Sequence, residues 1–252
     1  MLGSGSSGNC TFVATDRVKI LIDAGLSRRD TLRRLASIGE APESLGAILV
    51  THEHSDHVGG LARLAGQYRI PVYLTPSTQA ALPPETELPA VETMRAGNSF
   101  QISNLTVEPF TVPHDAADPV GFRLSAEGVR IAIATDLGYL PENVKDYLRS
   151  CHCLIIESNH DLEMLRSGPY PWHLKQRIMS RDGHLSNMAV VDFLTSHFDS
   201  EAQMVILTHL SRQNNHPEIA RMAVASALES QNARHTQLAL SSQREPTEVF
   251  YF

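Results

Sequence analysis

Residues 51–57 read Thr-His-Glu-His-Ser-Asp-His, and they restrict the folds open to this chain more than any other stretch. Four potential metal ligands, His52, His54, Asp56 and His57, fall within six positions, directly after apolar Ile48, Leu49 and Val50 and just before Gly59 and Gly60. The apolar run predicts a buried strand, so the histidines stand where a strand ends. Side chains at i and i+2 share a strand face, which aims His52 and His54 at one ion. Asp56 and His57 then lie past the strand, on a turn or a first helical turn, within reach of a second ion. Three imidazoles and a carboxylate packed this closely would repel one another's protons unless a cation held them. A polar loop of hydrogen-bonding histidines is the competing reading, and the clustering disfavours it.

The rest of the chain alternates strands and helices. The glycine-rich start, residues 3–9, runs straight into strand-like Cys10-Thr11-Phe12-Val13 and reads as a native loop; such a loop can bring backbone amides to an anion or simply make a turn. Phe12-Val13 and residues 18–22 predict a hairpin, followed by a helix over 30–38 that Gly39 stops. A short helix over 61–68, a strand over 71–74, a proline-rich surface loop over 82–89 and strands over 100–102 and 105–110 come next. Phe122 to Gly138 echoes Phe12 to Gly25, both ending in Asp-x-Gly, and Val205 to His209 echoes Ile48 to His52. The echo suggests a duplicated β-α unit with a metal site between its halves, and it picks out Asp136 and His209. A helix over 189–198, a last helix over 217–229 with Ile219, Met222, Ala223 and Leu228 inward, and a strand over 237–240 complete the pattern. The terminal aromatics of residues 248–252 suggest an edge strand or a contact between subunits of a homodimer.

The spacing His52-x-His54-x-Asp56-His57 resembles the signature of the metallo-β-lactamase fold hydrolases. The resemblance implies an α/β fold, the αβ/βα four-layer sandwich, as one domain over residues 1–252. It implies His52, His54 and His114 on one metal, Asp56, His57 and His209 on the other, Asp136 between them, and Asp23 supporting the histidine loop. Two divalent ions, zinc, manganese or iron, would lower the pKa of a bound water toward 7 and clamp the oxygens of the group attacked. Asp56 is placed to hold and orient that water.

Several further segments resemble the WalJ/YycJ-like branch of the family, whose members are described as 5′-to-3′ DNA exonucleases: Ser6-Ser7-Gly8-Asn9, residues 154–161, Lys175-Gln176-Arg177, Gly183-His184-Leu185-Ser186-Asn187 and residues 210–215. The implied function is a two-metal phosphodiesterase that recognises a 5′-phosphate end of DNA. Four basic residues against one acidic residue between Arg166 and His184 agree with an anionic substrate. Ser186 and Asn187 stand at a helix start, where a phosphate is favoured. Lys175 and Arg212 are further candidates for phosphate, His160 for a substrate contact, and His184 for proton donation to the leaving oxygen. A glyoxalase II-like thioesterase and an RNA or cyclic phosphodiesterase are the alternatives on the same ligand set.

Charge and cysteines set the remaining bounds. A net charge of −7 lowers the expectation of an extended nucleic-acid track while allowing a local basic groove. Three cysteines, two of them in Cys151-His152-Cys153, do not make a disulfide framework. With no apolar run of membrane-spanning length and no signal-like start, the expected location is the cytoplasm, away from any membrane.

Overall fold

In the computed structural model, which describes residues 1–198 and 202–252, the apolar runs form two sheets. The first holds β1 (Thr11–Ala14), β2 (Lys19–Ile22), β3 (Leu45–Leu49), β4 (Val72–Leu74) and β5 (Val91–Thr93), side by side in that order. The second holds β6 (Phe100–Ile102), β7 (Leu105–Thr111), β8 (Val120–Ala126), β9 (Val129–Ala134), β10 (Cys153–Glu157), β11 (Met204–Thr208) and β12 (Gln237–Leu240), again with sequence neighbours adjacent. Each sheet carries an antiparallel hairpin, β1–β2 or β8–β9, and continues with parallel strands.

Strand alternation decides the layers. Ile20 and Ile22 of β2 and Ala47 and Leu49 of β3 face Phe122, Ile133, Ile155 and Ile206 of the second sheet, whereas Leu21 and Ile48 turn outward. The outward side is covered by α1 (Arg28–Ser37) and α3 (Leu61–Tyr68), through Leu35, Leu61 and Leu64. Between them in sequence lies the single-turn α2 (Ser55–Val58), and α4 (Pro76–Ala81) follows. On the second sheet Leu154, Ile156, Val205 and Leu207 turn outward against α5 (Glu142–Leu148), α8 (Asn187–His197) and α9 (Pro217–Ser230); the short α6 (Leu162–Ser167) and α7 (Trp172–Ile178) lie between β10 and α8. Helix, sheet, sheet, helix is the four-layer sandwich that the sequence resemblance implies. Each fully buried Leu or Ile contributes about 1.5–3 kcal/mol, so three stacked cores stabilise the framework far from the polar edge.

The structure corrects three expectations. On α9, Ile219 and Met222 are exposed, and the inward positions are Ala220, Val224, Ala227 and Leu228. Residues 248–252 add no strand: Phe250 packs on the inter-sheet core while Tyr251 is 89% exposed. Third, the sequence echo equates β11 with β3, but the strand beside β9, as β3 is beside β2, is β10. Its last residue, Glu157, therefore occupies a strand end at the same edge as the histidine motif.

Candidate metal centre

Parallel strands end on the same side, so β2, β3, β9, β10 and β11 deliver the residues that follow them to one edge, where α/β sheets generally bind ligands. Asp23, His52, Asp136, Glu157 and His209 stand at or just past those ends. Three of them, Asp23, Asp136 and His209, have left-handed backbones with φ of 61°, 57° and 55°. Such strain is characteristic of functional sites held by their surroundings.

The histidine motif divides between two groups of potential donors. His52 and His54 leave β3 on one side and meet His114, with one donor atom from each lying within 4.8 Å of the others. Asp56 and His57 fall in α2 and meet His209 within the same limit. Asp136 groups with His52 and His57, and again with His209, so it stands between the two sets. Gly25 lets the Asp56 turn approach, since a Cβ there would lie 1.7 Å from the Asp56 carbonyl oxygen.

Hydrogen bonds fix which ring nitrogen faces the centre. His57 Nδ1 donates to Asp23 Oδ2 at 2.8 Å, and Asp23 also accepts from the Thr51 amide and hydroxyl. His114 Nδ1 donates to the Gly183 carbonyl at 3.2 Å. His209 Nδ1 and His184 Nδ1 both donate to Glu157 Oε1 at 2.8 Å, and Glu157 Oε2 accepts the amides of Leu137 and Leu185. Asn9 Nδ2 lies 3.0 Å from His57 Nε2 and 3.3 Å from Asp56 Oδ2.

The pocket's charges favour cations at its centre. Burial disfavours a charged His57, but Asp136 and Asp23 outweigh it and raise its pKa to about 10. Burial would raise Glu157, yet His184 and His209 pull it down to about 2. His52 is held well below its ordinary value by burial and then by the positive charge it would share with His57. Among the described residues His52 Nε2 and His209 Nε2, both in this cluster, are buried without a hydrogen-bond partner, and Asp136 Oδ2 lies 3.0 Å from His57 Nε2. Orphaned acceptors of this kind are costly unless something binds them. Imidazole and carboxylate donors with fixed outer partners fit divalent metal ions.

Other residues singled out in the sequence sit differently. His184 is at the rim, its side chain 24% exposed and 3.5 Å from Asp136 Oδ1. Arg212 lines the cleft beside His184 and His209. Lys175 does not: it is buried, and its ammonium donates to the carbonyls of Arg166 and Gly168 at 2.6 and 2.7 Å, closing the α6–α7 loop. Ser186 caps α8 by accepting the Ala189 amide, and Asn187 is buried in a two-way amide pair with Asn215. Both side chains are thus engaged within the fold. His160 is buried, its backbone pairs with Ser186 as an isolated bridge, and its ring feels the charges of Glu157 and His184 without lining the cleft. Glu157 and Asn9 are given no role by the sequence, although both lie in segments that carry the family resemblance, residues 154–161 and Ser6-Ser7-Gly8-Asn9; a lone glutamate closing the apolar run 154–156 is a further signal for the first.

The four-layer fold with this cluster at its edge defines a class of protein, and the chain belongs to it: the family model "Beta-lactamase superfamily domain" matches residues 18–210. Within that class the chain is 39% identical to exodeoxyribonuclease YycJ of Bacillus anthracis over 238 residues, covering 91% of this chain and 88% of that protein. It is 37% identical to exodeoxyribonuclease WalJ of Streptococcus pneumoniae, covering 90% and 87%. Among solved structures, the metallo-beta-lactamase fold protein YhfI from Bacillus subtilis aligns with a TM-score of 0.72 at 15% identity, over 96% of this chain and 94% of that one. No helix among the described residues is long and apolar enough to cross a membrane.

Proposed function

We propose that this chain is a metal-dependent phosphodiesterase, and specifically a 5′-to-3′ DNA exonuclease acting from a 5′-phosphate end. The observation that carries the proposal is the pair of donor sets, His52–His54–His114 and Asp56–His57–His209, sharing Asp136. The near full-length similarity to two proteins named exodeoxyribonucleases supports DNA as the substrate.

His52, His54 and His114 would hold one divalent ion and Asp56, His57 and His209 a second, with Asp136 serving both. Such ions supply Lewis acidity and an acidified water, and zinc, manganese and iron all suit these ligands. The chain's own groups do the rest. Asp56 Oδ2 lies 3.6 Å from His209 Nε2 and 3.7 Å from His57 Nε2, which suits it to accept a proton from the attacking water and fix its direction. His184 points into the cleft with Nδ1 committed to Glu157, leaving Nε2 to donate a proton to the departing oxygen. Burial works against protonating this ring, but Glu157 and Asp136 outweigh it and raise its pKa.

Digestion of labelled linear duplex DNA with manganese, and again with chelator, tests the reading. Metal-dependent release of mononucleotides is expected. Absence of release with zinc, manganese and iron would sink the exonuclease, and turnover of a thioester under the same conditions would move the chain to the thioesterase alternative.

A further inference from the structure

The cleft beside His184 and His209, about 340 Å³ in volume, is walled by α7, by the 209–215 turn and by the tip of the N-terminal loop. Its α7 wall is electrically occupied. Arg177 Nε donates to Asp115 Oδ2 at 2.7 Å, so that guanidinium already has its anion. Arg212 has none: it is exposed in the cleft, and no described residue hydrogen-bonds or ion-pairs with it. Ser6 lines the same cleft, with neither its N–H nor its hydroxyl engaged by a described residue.

The backbones that present these groups are pinned to the metal centre. Ser4 Oγ lies 2.6 Å from Thr208 Oγ1 and accepts the His209 amide at 2.9 Å, while Asn9 Oδ1 accepts the Gly5 amide at 2.9 Å. Gly5 and Gly8, with φ of 134° and 146°, make the loop between them, a backbone that only glycine adopts freely. On the other side Asn159 Nδ2 donates to the His209 carbonyl at 2.8 Å, and Asn215 Nδ2 to the Ser158 carbonyl at 2.9 Å. An unpaired guanidinium, a hydroxyl and a free backbone N–H on rigid supports are the donors that a phosphate takes.

We propose that Ser6 and Arg212 hold the terminal phosphate of the strand and so set which bond comes to His184. The proposal rests on the phosphodiesterase reading above and names the residues that select an end. Of the two arginines lining the cleft one is neutralised, and the chain as a whole is acidic at −7. A long phosphate track would need several free cations; a dianionic end needs one in the right place. The site therefore grips ends, and its salt dependence is that of about one phosphate contact.

The test compares kcat/KM for duplex DNA with a 5′-phosphate or a 5′-hydroxyl over a series of salt concentrations, in the native enzyme, Arg212→Ala, Arg212→Lys and Ser6→Ala. Arg166→Ala, whose partner is Glu163, is the control. The native enzyme is expected to prefer the phosphorylated end by about tenfold or more. Arg212→Ala should bring the ratio within about twofold and lower the log–log salt slope by about 1. Arg212→Lys should keep part of the ratio, Ser6→Ala should lower it, and Arg166→Ala should leave it alone. An unchanged ratio in Arg212→Ala, or equal losses at both ends, overturns the anchor. Bis(p-nitrophenyl) phosphate, which has no terminal phosphate, is run beside the DNA. If the native enzyme turns it over and shows no end preference, the anchor fails and the phosphodiesterase stands. If neither substrate turns over in any metal, that reading fails, and calorimetric binding of thymidine 5′-monophosphate, native against Arg212→Ala, decides the anchor alone.

Discussion

Asp23 and Asp136 close on opposite nitrogens of one imidazole: Asp23 Oδ2 is 2.8 Å from His57 Nδ1 and Asp136 Oδ2 is 3.0 Å from His57 Nε2. The two aspartates follow equivalent hairpin strands, β2 and β9, and both have left-handed backbones. Asp23 orients the ring through Nδ1, and Asp136 meets the nitrogen that would face a metal. Two similar strand ends thus serve different nitrogens of one histidine.

The orienting role of Asp23 is separable from its backbone role. Asparagine tolerates a left-handed backbone, so Asp23→Asn removes the charge with little strain. We expect metal affinity to fall by about 10- to 100-fold, read by chelator competition, with Asp23→Ala losing further stability. Native affinity in Asp23→Asn would show that the Thr51 hydroxyl, 3.2 Å from His57 Nδ1, is enough to hold the ring.

Metal and fold should be linked. Ligands that bind only the folded chain add about 2.7 kcal/mol at a hundred times Kd, so chelator should lower the melting temperature and zinc or manganese restore it. Asp136→Ala should remove most of that shift and abolish metal-dependent turnover.

His184→Gln should cost DNA cleavage about 10²–10⁴-fold in kcat if the ring donates a proton to the leaving oxygen. Bis(p-nitrophenyl) phosphate has a leaving group that scarcely needs a proton, and its loss should be much smaller. Equal losses would assign His184 to positioning. Glu157→Gln, which frees both His184 and His209, should lower both substrates together.

Lys175→Met should act on stability. Its ammonium holds two carbonyls of the α6–α7 loop, so its loss is expected to cost about 1.5–3 kcal/mol in denaturant unfolding while KM for DNA stays native.

Buried His160 predicts an acid-side slope. Burial lowers its pKa from the ordinary 6.5 to about 4, so the unfolded chain binds the extra proton first. Stability is then complete above about 6.5 and falls as the pH drops toward 4, by about 3 kcal/mol in all. His160→Gln should flatten that part of the native stability–pH curve, whereas parallel curves would refute the assignment.

The sequence by itself picked out the candidate donors. His52, His54, Asp56 and His57 are legible because a strand end imposes a two-residue period and a helical turn follows it. Asp136 and His209 are legible because the chain repeats its strand-end pattern, and His114 through the family resemblance. The four layers follow from the family resemblance, and the continuous apolar runs agree with strands buried between them. Only the tertiary structure decided which polar groups are already satisfied. Lys175, Ser186 and Asn187 look available for a phosphate along the chain, yet carbonyls, a helix start and Asn215 have taken them. Glu157 and Asn9 touch the site through partners about 30 to 50 positions away, because sheet order places β10 beside β9 and the N-terminal loop against α2. Local periodicity fixes the direction of a side chain; what that side chain meets depends on which strands and loops become neighbours, and that is settled by packing over the whole chain.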